Sequence, residues 1–82
     1  MAINYEKLIK DIVAPLVIYP EDIVVKILEE TEDEITISLF VNEKDIGRTI
    51  GKSGRTANAI RTIVYAAASK EQRRVQLEID SF

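Results

Sequence analysis

Gly51 and Gly54 bracket Lys52 and Ser53, and Arg48 and Arg55 stand close on either side. These residue types hold phosphate rather than break bonds. Neither glycine carries a Cβ, so the backbone between them can press flat against a ligand. Lys52 and Ser53 offer a cation and a hydroxyl, and the residues beyond Gly54 open a helix whose first N–H groups lack internal partners. Together they suit a phosphate backbone. Catalysis fits poorly. The 82 residues include no histidine and no cysteine. A Ser-His or Cys-His dyad, an imidazole acid–base pair, a zinc site and a disulfide are therefore all absent. We read the chain as a non-enzyme with no metal, cofactor or small-molecule substrate.

The length is that of one domain, residues 1–82, and 46% apolar content permits a core without staples. Net charge is −3, which alone argues weakly against a nucleic-acid partner, but the distribution reverses that. Residues 1–41 carry 3 Lys against 9 acids, whereas residues 42–74 carry 8 Lys/Arg against 3 acids. The basic half holds the glycine turn, so one face can be positive on an acidic protein. No apolar run approaches the roughly 20 residues that span a bilayer. The start has no basic cluster followed by an apolar run, so neither membrane nor signal peptide is expected. The expected location is the cytoplasm.

The elements that must position the turn follow from periodicity. Asn4 is a candidate N-cap, and Tyr5, Leu8, Ile9, Ile12, Val13 and Leu16 recur at helical spacing over about residues 4–18, with Pro15 shortening the helix near Ala14. The β-branched run 23–28 reads as a strand and 29–34 as an acidic connection. Ile35, Ile37, Leu39 and Val41 alternate with Thr36, Ser38 and Phe40 in a second strand, paired antiparallel with the first. Asn42 is a candidate cap for a short helix 43–49, with Ile46 and Ile50 facing inward. A longer helix runs from about Arg55 to Ala68, then a polar loop 70–74 and a strand in which Val75, Leu77 and Ile79 alternate with polar residues. The order is α-β-β-α-α-β.

On the 55–68 helix, Ala57, Ile60, Ile63, Val64, Ala67 and Ala68 fall within an arc of about 140°. Ala59 and Ala66 widen it on the Ile63 side, beyond what packing on one sheet requires. The edge Ala59, Ile63, Ala66 either meets a partner, since small residues let backbones approach, or packs on the N-terminal helix.

Two decoys are set aside. A P-loop needs four residues between its first Gly and the Gly-Lys pair; from Gly47 there are three, and no strand leads directly into the loop. A helix-turn-helix exposes polar base-reading side chains on its second helix; here that helix is largely apolar and a strand follows it.

The stretch Asp45-Ile46-Gly47-Arg48-Thr49-Ile50-Gly51-Lys52-Ser53-Gly54-Arg55-Thr56-Ala57-Asn58-Ala59-Ile60-Arg61 resembles the signature of KH domains, an apolar-Gly-x-x-Gly turn between two helices. With the element order it is similar to type II KH domains. Size and the run Ile60-Arg61-Thr62-Ile63-Val64 look like the small stand-alone bacterial proteins of the KhpA type. The resemblance implies an α+β fold, a three-stranded sheet with three helices on one face. It implies single-stranded RNA as ligand, and an RNA chaperone or post-transcriptional regulator linked to cell shape and peptidoglycan homeostasis. It further implies a homodimer, or a heterodimer with a KhpB (Jag)-type RNA-binding protein. Carried over by position, Gly51, Lys52, Ser53 and Gly54 form the phosphate loop, with Arg48 and Arg55 beside it. Ile46, Ile50 and Ile60 are expected to wall a groove for about four unpaired nucleotides, and the acidic 29–34 loop to border it. Thr49 stands where many relatives have an aliphatic residue. Tyr65 is the sole aromatic expected near the groove. The alternative is a protein-interaction module to which RNA binding is incidental.

Overall fold

The computed structural model describes residues 2–82; of the expected 1–82 domain, Met1 lies outside them. Helix α1 spans Tyr5–Val13, and Asn4 caps it, its Oδ1 accepting the Lys7 N–H at 3.1 Å. The helix ends where Pro15 enters, and a 3₁₀ turn, Ala14–Leu16, follows. Strand β1 (Val24–Glu30) and strand β2 (Glu34–Val41) form the expected antiparallel hairpin, with a bulge between Ile27 and Glu29. Helix α2 spans Ile46–Ile50, helix α3 Arg55–Lys70 and strand β3 Arg74–Ser81.

β2 lies between β1 and β3 and pairs with β3 in parallel. A parallel neighbour requires a crossover, and α2 with α3 supply it, which fixes the glycine turn at the C-terminal end of β2. The alternation in β2 decides the layering: Ile35, Ile37, Leu39 and Val41 are all buried and face the helices. Tyr5, Ile9 and Val13 of α1 and Ile60, Val64 and Ala68 of α3 complete that core, with Val25, Val75 and Leu77 from the flanking strands. The fold is thus α+β, with all three helices on one face of a mixed three-stranded sheet.

Three local expectations change. Asn42 does not cap a helix. Its Nδ2 donates to Asp22 and its Oδ1 accepts the Lys44 N–H, so residues 42–45 form a turn and α2 begins later, at Ile46. The inward side chain of α2 is Thr49, fully buried with its hydroxyl donating to the Asp45 carbonyl at 2.8 Å, whereas Ile46 and Ile50 are only half-buried. The long helix runs two residues further than Ala68 and closes on Gln72 in the left-handed conformation, with Gln72 N–H bonded to Ser69 O and Arg73 N–H to Ala68 O. That is the Schellman arrangement, usually built on glycine.

Candidate nucleic-acid interface

Between α2 and α3 the chain reverses in four residues. Gly51 has φ 78 and ψ 172, Ser53 φ 56 and ψ 27, and Gly54 φ 75 and ψ 12. Gly51 is required twice over. Its dihedrals lie where side chains are hardly tolerated, and a Cβ there would overlap the Thr56 hydroxyl and come within 2.9 Å of the Thr56 backbone nitrogen. At Gly54 a Cβ would meet nothing within 4 Å, so that glycine serves conformation and leaves open space above the turn.

The amides divide. Gly51 N–H bonds to Gly47 O at 2.8 Å, Gly54 N–H to Gly51 O at 3.1 Å, and Arg55 N–H to Lys52 O. The N–H groups of Lys52 and Ser53 have no partner among the described residues. The turn therefore offers two free amides at its apex, and successive N–H groups in a turn conformation form anion-holding concavities. The Lys52, Ser53 and Arg55 side chains are exposed around it.

Asp45, whose role residue spacing does not reveal, anchors this apparatus. Its carboxylate is fully buried and accepts the backbone N–H groups of Ile18 and Tyr19, both at 3.0 Å, while Arg48 Nε lies 3.3 Å from it. One side chain thus ties the loop before Pro20 to the start of α2 and turns Arg48 partly inward. Arg48 is consequently a half-committed cation, whereas Lys52 and Arg55 form no ion pair among the described residues.

The three isoleucines separate. Ile50 stands half-exposed at the entry to the turn, and Ile46 packs its inner part on the core. Ile60 is 2% exposed and belongs to the core. What little of it shows lines the crevice between α1 and α3 rather than the β3 side. On that β3 side the structure shows a residue absent from the sequence-derived site. Arg61 Nε donates to the Leu77 carbonyl at 3.1 Å, laying the guanidinium across the outer strand of the sheet. The acidic loop stands at the opposite end. Asp33 O accepts the Arg74 N–H, and Glu30 pairs with Arg73 at 2.6 Å. The loop is thus separated from the glycine turn by the 16-residue length of α3, about 24 Å.

Ala59, Ile63 and Ala66 are all exposed, Ile63 by 49%. The N-terminal helix borders this edge without covering it. α1 rests on the Ile60–Val64 side, and Ile12 and Leu16 join Ala59 and Ile63 in an apolar crevice of about 360 Å³.

At the far end of α3, Glu71 accepts hydrogen bonds from the Tyr5 hydroxyl and the Ile3 N–H. Burial and the adjacent Glu71 push the Tyr5 phenol up to about 12, and the Tyr5 hydroxyl holds the Glu71 carboxyl below its ordinary value. This network joins α1 to the end of α3. Among the described residues no cluster of acids could hold a metal ion, and no helix is long and apolar enough to cross a membrane.

Comparison with known proteins places these features. The family model of the KhpA/KhpB KH domain matches residues 6–79. The RNA-binding protein KhpA of Listeria monocytogenes is 53% identical over 74 residues, covering 90% of this chain and 96% of the relative. The RNA-binding protein KhpA of Bacillus subtilis is 53% identical over 76 residues, covering 93% of each. That of Streptococcus pneumoniae is 43% identical over 75 residues, covering 92% of each. A turn with free apical amides, the type II strand order and a family match over nearly the whole length agree: the chain belongs to the KhpA/KhpB KH-domain family.

Proposed function

We propose that this protein binds single-stranded RNA through the Gly51–Gly54 turn. The observation that carries the reading is the pair of unpartnered amides at Lys52 and Ser53, ringed by exposed cations; relatives named RNA-binding proteins support it. The apical amides meet a phosphate, Lys52, Arg55 and Arg48 supply charge, and Ile50 and Ile46 flank the first base. Few contacts are made, so one copy binds weakly and with strong dependence on salt. For single strands, log K falls with log salt at about 0.7 per neutralised phosphate. Three cations then predict a loss of about twentyfold between 50 and 200 mM salt. Fluorescence-anisotropy titrations of unstructured RNA and of a duplex test this. Salt-sensitive binding of the single strand alone is expected. Binding of neither RNA would favour the rival reading, a protein-interaction module.

Two weak sites held together bind more tightly by about 10²–10⁴ without new contacts. We assign dimerisation to the uncovered strip of Ala59, Ile63 and Ala66, whose apolar continuation over Ile12 and Leu16 fits a second copy or a KhpB-type partner. We carry forward the family expectation that the assembled protein acts as an RNA chaperone with consequences for cell shape and peptidoglycan. RNA recovered by crosslinking in cells identifies the transcripts concerned.

A further inference from the structure

Tyr65 is 43% exposed, a large aromatic surface for so small a protein. It does not stand alone. It lines a cleft of about 390 Å³ with Arg73, Arg74 and Val75, where the start of β3 passes the last turns of α3. Tyr65 follows Arg61 by four residues, so both lie on the helix face turned to β3, where Arg61 is fixed by its bond to Leu77 O. The glycine turn, Arg61 and Tyr65 therefore fall in line along the α3–β3 side of the molecule. From Gly54 to Tyr65 the helix rises about 16 Å, a span that stacked nucleotides at about 3.4 Å each cover in about five steps and more extended ones in fewer.

We infer that the Tyr65–Arg74 cleft is a nucleobase pocket that ends the RNA track beginning at the glycine turn. This rests on the RNA reading proposed above. The ring of Tyr65 supplies a stacking face, Val75 is buried and gives an apolar floor, and the two guanidiniums offer planar cations beside it. The charges around the cleft select a base rather than a phosphate. Arg73 is already paired with Glu30. On its other side Arg74 lines a hollow with Asp33, Glu34 and Gln72, whose carboxylates repel an advancing phosphate. The acidic loop thus terminates the track, leaving a neutral, flat, polarisable group as the ligand that fits. Stacking accepts any base, so the pocket adds affinity with little sequence preference.

A length ladder tests this. Anisotropy titrations with rU3, rU4, rU6 and rU8 are run on the wild type, Tyr65→Leu and Tyr65→Phe. The exposed position tolerates both substitutions, and thermal melts confirm folding. In the wild type, affinity rises about fivefold or more as the strand becomes long enough to reach the cleft, the lower end of what one stacked base supplies. Tyr65→Leu loses that rise and leaves the short oligomer unchanged; Tyr65→Phe keeps it. Equal affinities for wild type and Tyr65→Leu at every length overturn the pocket, as does an equal loss at all lengths. Failure of the wild type to bind any oligomer overturns the RNA reading instead.

Discussion

Alanine at each of the three glycines should give three different outcomes, because the backbone asks something different at each. At Gly51 two penalties combine. Dihedrals of φ 78 and ψ 172 are close to glycine-only and cost a side chain about 1–3 kcal/mol. The new methyl would also come within 2.8 Å of Thr56 Cβ and 2.9 Å of Thr56 N. Those atoms cannot retreat without shifting the first turn of α3, an overpacking strain of about 1–3 kcal/mol. The sum, about 2–6 kcal/mol, is a large part of the roughly 4–12 kcal/mol expected for a domain of this size. At Gly54 only the left-handed penalty applies, about 1–2 kcal/mol, because nothing stands within 4 Å of the added methyl. At Gly47 the backbone is helical and the space equally empty, so alanine should stabilise by about 1 kcal/mol. Urea denaturation followed by far-UV circular dichroism reads the series. The expected order of midpoints is Gly47→Ala, wild type, Gly54→Ala, Gly51→Ala. Equal losses at Gly51 and Gly54 would refute the argument that Thr56 closes over the first glycine.

Other expectations concern the ends of α3 and its open edge. Tyr5→Phe removes the hydrogen bond to Glu71 and should lower stability at neutral pH, where the acceptor is charged. Because the folded Glu71 carboxyl is held low, its contribution is present above the unfolded carboxyl range near pH 4.3 and is lost as pH falls further. The difference between wild type and Tyr5→Phe in denaturation midpoints should shrink accordingly; a difference constant down to pH 2.5 would dissociate Glu71 from the effect. In the other direction, Tyr5 titrates at about 12 in the fold against about 10 when unfolded. Wild-type stability should therefore lose the Tyr5 contribution as pH rises from about 10 to 12, so Tyr5→Phe should decline less steeply over that range. Ile63→Tyr enlarges an exposed residue between two alanines and, if the proposed interface is used, should weaken self-association and lower the mass measured by multi-angle light scattering. A mass unchanged from the parent would move the interface elsewhere.

Much of the architecture was legible in the residues because burial is written into period. The β2 alternation names the buried face, Pro15 ends α1, and the two glycines mark the reversal. The face of α2 was not legible. Five residues make little more than one turn, so Ile46 and Ile50 looked inward by hydrophobicity while Thr49, held by its bond to Asp45 O, took the buried position. Asp45 escaped notice for a different reason. An aspartate before a helix reads as a cap, yet its partners are amides 26 and 27 residues earlier in the chain, a relation that local pattern does not carry. The only available hint was that an extended Ile18-Tyr19 before Pro20 leaves amides needing acceptors. Tyr65 was expected near the groove, but neither its cleft nor the role of Arg61 could be read from helical spacing. Their meaning depends on β3 lying beside α3, which follows from parallel pairing with β2, whereas Gln72 in a left-handed cap has no sequence signal of its own.

In the proposed mode of binding, main-chain amides at the apex of the glycine turn hold an RNA phosphate. Lys52→Asp combined with Ser53→Asp tests it most directly, since both side chains are exposed and carboxylates there would confront the phosphate while leaving the core untouched. In a gel-shift titration with unstructured RNA, the double variant should lose binding at concentrations that saturate the wild type, with an unchanged thermal midpoint. Undiminished affinity in a folded double variant would contradict it.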